Sequence, residues 1–525
     1  MNRKIVIVGG GTAGWMAAAY FAKYRGGKNI TVIESDSIPR LGVGESVTPH
    51  VTSFFEEIGV SERDWMIKTG ATYKYANKFT NWTRNEGETQ YYSFTYTFPQ
   101  ENFFKDITPN RSTHDFSNPV IKNIDLLEKI CRENSKRFDQ YLNPQFHYME
   151  QNTAPFYKDD LLLNQPFSYA HHINAEMAAD YLREEIAMPQ GVKRIIAKVI
   201  DLDREGDNIN ALILDSGERI TGDLFIDCSG WHKAIISKLG WSEKIYEDHP
   251  IDRALVCQTD YSDPETEMSN YTETNAEPSG WRFKIGLYHR VGNGYCFSSK
   301  HTTEDEARIH LKSKLTNARF EPKLIKWKPS RLEKFGGGNV AAVGLSCGFI
   351  EPMEANVLYT IISSIRRLNN VLDEPVLDFS VYNEKMAYTI DDIADFILVH
   401  YTLSSRRDTP FWRDMAYLGE RLNHKHLILD KIRHPNNSMA AAITGYTMFP
   451  DYMWMQLAIA MNIPLPTTEL NDTAIEIANS YYKHSDYKHS LISKIVDNNY
   501  KFHKTHVFNN LTPKEWEQLM LKGKL

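Results

Sequence analysis

No run of apolar residues in this chain is long enough to span a bilayer. Cysteine is scarce: Cys131, Cys228, Cys257, Cys296 and Cys347 lie far apart in 525 residues, with no CxxC pair. An odd, scattered set of this kind excludes a disulfide framework and structural zinc, and fits a reducing compartment. A surplus of positive charge is also missing. Lysine and arginine number 60 against 67 acidic residues, for a net charge of −7. That balance argues against a nucleic-acid binder, which carries a basic face. The eighteen histidines form no HExxH, and the neighbours His171 and His172 would point to opposite sides of a strand, so no metal site is expected. The opening MNRKIVIVGGG lacks the apolar stretch and cleavage site of a secretory leader, and a cytoplasmic protein is expected.

What is present is ordinary globular composition, 42% hydrophobic and 24% charged, enough for a large core or two fused cores. Residues 4–8 (KIVIV) read as a short buried strand. A glycine loop follows, then a helical run (AGWMAAAYFAKY) and a second strand (NITVIE), which together make a βαβ unit. Residues 72–82 read as a strand and 90–98 as an alternating sheet edge. Residues 99–166, rich in proline and aromatics, read as irregular, and 169–188 as a helix. IIAKVIDLD, NINALILDSGERI and DLFIDCSG read as successive strands with DSGE as a turn. Helical patterns dominate from about 380. The expected architecture is an α/β box over residues 1–390 with a mainly helical region over 391–525.

The loop VGGGTAGW holds Gly9-x-Gly11-x-x-Gly14 between a strand and a helix. Gly9 permits the tight turn, Gly11 lets backbone approach a pyrophosphate, and Gly14 allows close helix–strand packing. The helix N-terminus then faces the phosphates. Glu34 ends the next strand, placed to accept from a ribose 2′-hydroxyl. A glycine turn without nucleotide is the bland alternative, and the strand–loop–helix context with its acidic residue argues against it. Two distant segments, DLFIDCSG (223–230) and NVAAVGLSCGFIEP (339–352), each read as a strand running into a turn. They resemble the returning segments of hydroxylase-type FAD oxidoreductases, so FAD is expected in preference to NAD, on a Rossmann-type box.

Six ordered motifs then make the resemblance specific. GGGTAGWMAA, LGVGES (41–46), TYKYANKFTNW (72–82), YAHHINAEMAADYLR (169–183), the pair DLFIDCSGWHKAII and CGFIEPMEANVLY, and DTPFWR (408–413) resemble, over residues 4–415, the flavin-dependent tryptophan-halogenase family. The resemblance implies an enzyme that uses reduced FAD, oxygen and a halide (chloride, bromide or iodide) to make hypohalous acid and deliver it to an electron-rich aromatic. It implies that Gly9, Gly11, Thr12, Ala13, Gly14, Glu34 and Val199 lie against the cofactor. Gly44, Glu45, Ser46, Asp227, Gly230, Gly344 and Ile350 would serve the flavin side. It places the catalytic lysine at Lys74 rather than Lys78, and the catalytic glutamate at Glu354, with Glu351 structural. No segment reads as a nicotinamide site, so a separate flavin reductase is implied as partner; homo-oligomeric assembly is left open.

The chemistry suits those groups. A lysine in a dry channel can hydrogen-bond the oxidant or be N-halogenated, and a nearby carboxylate can polarise it and take the proton lost from the ring. By strand alternation Lys74, Ala76 and Lys78 share one face, with Tyr73, Tyr75, Asn77 and Phe79 on the other. By spacing alone Lys74 would be a solvated surface lysine; the resemblance reverses that. Glu354 reads as a first-turn residue of the helix that Pro352 begins. The first N–H groups of that helix, on Asn356 and Val357, offer a halide site.

Three departures from the family bear on specificity. Ala355-Asn356-Val357 stands where Ser-Thr-Gly is usual, which suggests a preference for softer halides. Trp281-x-Phe283-x-Ile285-Gly286 replaces Trp-x-Trp-x-Ile-Pro, with Trp281 and Phe283 expected on the channel wall. The paired-tyrosine box that clamps an amino-acid substrate is not found between Arg433 and Ile463. Tyr92 takes the place of a histidine near the indole site, with Phe94 retained. These changes argue against free tryptophan and for another indole, a phenol or a pyrrole. A flavin monooxygenase that hydroxylates, and a non-catalytic FAD-binding protein, are the competing readings.

Overall fold

The computed structural model describes residues 3–36, 44–84, 87, 89–94, 124–141, 143, 145–153, 169–434, 447–465, 479 and 483. Ile5–Val8 lies between parallel neighbours, Ile30–Glu34 on one side and Leu224–Asp227 on the other. A strand so placed is covered on both faces, which is why its sequence is an unbroken apolar run rather than an alternation. Lys193–Ile196 extends this sheet at one edge, and Val340–Ala342 with Gly336–Gly337 at the other. The helix Thr12–Phe21 follows the first strand and buries every residue from Gly14 to Phe21. Its small residues Ala17, Ala18 and Ala19 allow close packing, and it rests against the helix Asn356–Val371.

A second, seven-stranded sheet carries the substrate side. Its order runs Lys323–Lys326, Arg253–Thr259, Arg290–Phe297, Gly280–Leu287, Tyr271–Glu277, Ala76–Thr80 and Thr89–Phe94. A small three-stranded sheet of Glu45–Ser46, Ala170–Ile173 and Thr72–Lys74 abuts it. Among the described residues one large hydrophobic core runs through both large sheets and the helices, from Ile5 to Ile463, beside a smaller cluster of Leu255, Tyr295, Phe297, Ala307 and Leu311. No helix among the described residues is long and apolar enough to cross a membrane.

Four expectations change. The strand over 72–82 is two strands, Thr72–Lys74 and Ala76–Thr80. Tyr75 breaks it: its N–H donates to the Asn270 carbonyl at 2.8 Å, and the chain passes from the small sheet to the large one. The segment 169–188 opens with the strand Ala170–Ile173, and its helix starts only at Ala175, after the Asn174 side chain caps Glu176 and Met177. Within 99–166, Ile124–Glu133, Phe138–Tyr141 and Gln145–Glu150 are helical rather than irregular; 99–123 and 154–166 lie outside the described residues. Finally, the boundary at 390/391 falls inside the helix Ser380–Thr402, whose buried face joins the common core.

Candidate active site

The nucleotide loop begins at Gly9, whose N–H donates to the Ile33 carbonyl at 2.8 Å and whose φ is +120°. A side chain there would run into the Cys228 carbonyl, and one at Gly14 into the Gly9 carbonyl. Gly11 is different. A Cβ on Gly11 would meet nothing within 4 Å, and Gly11 precedes a helix whose N-terminus no side chain caps. Open space in front of unpaired N–H groups is what a pyrophosphate requires. The residues therefore fit the ADP half of FAD. Two alanine substitutions should separate the roles. Gly14→Ala should destabilise the protein outright, read as a fall in Tm. Gly11→Ala should leave the Tm of the flavin-free protein unchanged and weaken FAD binding about tenfold or more by flavin fluorescence titration.

Gly10 belongs to this loop although the motif does not count it, because a Cβ there would collide with the Glu34 carboxylate. Glu34 is buried at the end of its strand; it accepts from the Trp15 indole N–H at 3.4 Å and pairs with Arg194. Thr12 donates through Oγ1 to the Ala175 carbonyl at 3.2 Å, and Ala13 packs where Gly344 leaves room for it. Val199 starts a strand of a separate three-stranded sheet and is half-buried. Gly44, Gly230 and Gly344 all take positive φ, which bends the chain at each proposed flavin contact. Ile350 is buried, and its carbonyl accepts from the Trp327 indole at 2.7 Å.

Asp227 is bound from within. Its carboxylate is fully buried and accepts from Ser229 N and Oγ, Ile235 N, Ile236 N and Ser346 Oγ, all at 3.0 Å or less. With both oxygens occupied inside the protein, this carboxylate shapes the Gly230 turn.

Beyond the loop opens a cleft lined by Glu45, Ser46, Asn77, Trp281, Phe283 and Glu354, with Trp231, Trp327 and Phe349 also on its wall. Lys74 stands beside it, 1% exposed. Its Nζ donates to Ser46 Oγ at 2.8 Å and to the Val47 carbonyl at 2.9 Å. Burial pushes the Lys74 ammonium down to about 7, and the Glu354 carboxylate acts the other way. Burial also raises Glu45, to about 7.

Glu354 lies across the cleft. Asn77 Nδ2 and Ser93 Oγ donate to its Oε2 at 2.6 and 3.0 Å. His400 Nε2 is 3.7 Å from Oε1, and the His400 ring is fixed by its Nδ1 on the Phe396 carbonyl at 2.8 Å. Alternation placed Asn77 away from Lys74. The break at Tyr75 resets the phase, so that Asn77 reaches Glu354 while Lys74, bonded to Ser46 and Val47, feels its charge, and Lys78 stands over the Tyr271 ring at 5.2 Å. Glu354 is not in the helix either. It has φ +61° in a short turn, followed by Ala355 at φ +59°, and the helix begins at Asn356. Two consecutive non-glycine residues in the left-handed region cost about 1–3 kcal/mol each, and such strain concentrates at functional sites.

The sequence model of the tryptophan halogenase family matches residues 4–475. The chain is 32% identical over 430 residues to tryptophan 7-halogenase RebH of Lentzea aerocolonigenes, covering 78% of each chain. The chain belongs to the tryptophan halogenase family. It is accordingly a flavin-dependent halogenase. Among solved structures, a flavin-dependent halogenase from Xanthomonas campestris superposes with a TM-score of 0.80 at 28% identity, covering 96% of this chain and 97% of that one. Another from Brevundimonas sp. BAL3 gives 0.79 at 26% identity, covering 97% and 99%.

Seen within this family, the remaining residues sort by contact. The Trp281 indole N–H donates to Glu351 Oε1 at 3.2 Å, and Tyr401 OH to the same oxygen at 2.7 Å. Burial pushes Glu351 up to about 8, while these two hydrogen bonds pull it down. Glu351 thus anchors the cleft wall. The Phe283 ring fills the space above its cross-strand partner Gly294, which has no side chain to exclude it. Val357 lines the cleft, whereas the Asn356 side chain ties the turn, donating to the carbonyls of Glu351 at 2.8 Å and Met353 at 2.7 Å. Tyr92 and Phe94 lie on the strand that pairs with Ala76–Thr80, opposite Lys78 and Ala76; their side chains lie outside what is described. Between Arg433 and Ile463, the described residues Trp454, Met455 and Leu457 are core, not cleft wall. Asn77, Ser93, His400 and Arg194 escaped the sequence reading. No local signal marks them: the partners of Asn77, Ser93 and Arg194 lie at least 160 residues away, and that of His400 lies 46 residues back in the chain.

Proposed function

We propose that this halogenase holds FAD along Gly9–Gly14 and Gly44–Ser46 and uses Lys74 and Glu354 to halogenate an electron-rich aromatic other than free tryptophan. The observation that carries the proposal is the meeting of a buried lysine and a buried carboxylate at one apolar cleft, from segments 280 residues apart. Reduced FAD, with oxygen and a halide, supplies hypohalous acid. Ser46 and Val47 hold the Lys74 amino group, which binds the oxidant in a site closed to water. Asn77 and Ser93 fix the Glu354 carboxylate, which takes the proton lost from the ring. Trp281 and Phe283 exclude water, which would otherwise disperse the oxidant. The reduced flavin comes from a separate reductase.

The substrate reading rests on the missing paired-tyrosine box. In a competition of equal tryptophan, indole, phenol and pyrrole, followed by mass spectrometry, halogenated indole, phenol or pyrrole should dominate; halogenated tryptophan alone would overturn the reading. The halide reading rests on Ala355 and Val357, which put methyl groups where the family has a hydroxyl and a glycine. With equal chloride and bromide, brominated product should exceed chlorinated product by about tenfold, a difference of ~1.4 kcal/mol between the barriers. A chloride preference would contradict it.

A further inference from the structure

Two carboxyl groups face the cleft, and their surroundings are opposite. Glu354, on the turn Met353–Ala355, is met by two donors, Asn77 Nδ2 at 2.6 Å and Ser93 Oγ at 3.0 Å, so a charged carboxylate finds its hydrogen bonds there. Glu45 stands on the short strand Glu45–Ser46, which touches that turn. No described group hydrogen-bonds its side chain. The cleft wall is largely apolar, with Trp231, Ala254, Val256, Phe283, Ile285 and Ile325. A carboxyl in such surroundings, without a donor, holds its proton. Two carboxyls placed in environments this different divide into an acid and a base. Burial alone lifts Glu45 to about 7. The other ionisable groups around it are Glu354 and Lys74 at the cleft, His171 and His172 on the paired strand Ala170–Ile173, and Arg290 beside Gly44.

Making the oxidant consumes a proton. Dioxygen takes four electrons, two from reduced FAD and two from the halide. One of its oxygen atoms leaves in hypohalous acid and the other leaves as water. Reduced FAD, oxygen, a halide ion and one proton therefore give FAD, hypohalous acid and water. The competing outcome, in which reduced FAD and oxygen give FAD and hydrogen peroxide, takes up no proton. The two outcomes differ by the halide and by that single proton.

We propose that Glu45 is the acid that supplies this proton. Its O–H bond breaks, the proton goes to the oxygen that leaves as water, and the carboxylate takes a proton back from solvent between turnovers. The inference rests on the proposed seat of FAD along Gly44–Ser46 and on the halogenation reading. Glu45 and Glu354 then serve different steps. Glu45 gives a proton while the oxidant forms, and Glu354 takes one from the ring while the oxidant is consumed.

The test is made in Lys74→Met, which lets the oxidant escape and removes the titration of Lys74. That variant, and the double variant Lys74→Met with Glu45→Gln, are mixed with air and bromide while in excess over photoreduced FAD, with binding of the flavin confirmed by fluorescence. Hypobromous acid is trapped by a 1,3-diketone that hydrogen peroxide does not brominate, and peroxide is measured alongside. With Glu45 present, the ratio of hypobromous acid to peroxide should fall as pH rises above about 7, because an acid acts only while protonated. In the double variant the ratio at about pH 6 should be lower by about a hundredfold, and the fall with pH should vanish. A second readout uses no flavin. The infrared difference between wild type and Glu45→Gln should show a neutral carboxyl at about pH 6 that ionises as pH rises through about 7. An ionised Glu45 at about pH 6, or a double variant that keeps the parent's ratio or its fall with pH, overturns the assignment. Peroxide alone from Lys74→Met itself, with FAD still turning over, would instead sink the halogenation reading, and the role of Glu45 with it.

Discussion

Replacing Lys74 with methionine should lower halogenation by about a thousandfold or more while oxidant production continues. The two functions separate because of where the lysine sits. It touches Ser46 and Val47 beside the cleft and contributes nothing to the glycine loop of Gly9–Gly14. Methionine matches the length of the side chain and suits a buried site, so the fold should survive. What disappears is the only amino group shown to bond at this wall of the cleft among the described residues. Hypohalous acid should then escape, and an added thioether scavenger should capture it at the wild-type rate of flavin turnover. Loss of flavin turnover along with product would instead point to a damaged cofactor site.

Glu354→Gln should cost about 10²–10³-fold in kcat with little change in KM, because the amide keeps the shape but cannot take the ring proton. The geometry predicts where the damage stops. Asn77 and Ser93 can still donate to an amide oxygen in the place of Oε2. The strained turn at φ +61° is a backbone feature, held by Asn356 on the carbonyls of Glu351 and Met353, and does not depend on the carboxylate. Glu351→Gln is the control. That residue bonds Trp281 and Tyr401 away from Glu354, so its loss should act on stability before chemistry. If Glu351→Gln proved the more damaging to kcat at unchanged Tm, the two glutamates would exchange roles.

The parts of this protein that could be read from its sequence are those whose physics is local. The turn at Gly9, the close packing at Gly14 and the carboxylate of Glu34 follow from a strand, a loop and a helix in immediate succession. The apolar run of Ile5–Val8 announces a strand covered on both faces. The halogenase motifs pointed to Lys74 and Glu354, but not to their surroundings. Alternation failed at Asn77 because Tyr75 is diverted by the Asn270 carbonyl, 195 residues away in the chain. Pro352 suggested a helix start one turn early because nothing local signals a left-handed glutamate. Ala170–Ile173 looked helical because its strand pairing with Thr72–Lys74 spans nearly a hundred residues. The five internal donors to the Asp227 carboxylate appear only in three dimensions.

The central claim is that this cleft transfers halogen and not oxygen to an aromatic ring. The most direct measurement is the mass spectrum of an indole incubated with the protein, FAD, a flavin reductase, NADH, air and bromide, against a control without the protein. The account predicts a protein-dependent product carrying the paired bromine isotope pattern, lost in Lys74→Met. A product heavier by one oxygen and free of bromine would contradict it, and would make the enzyme a hydroxylase built on the halogenase frame.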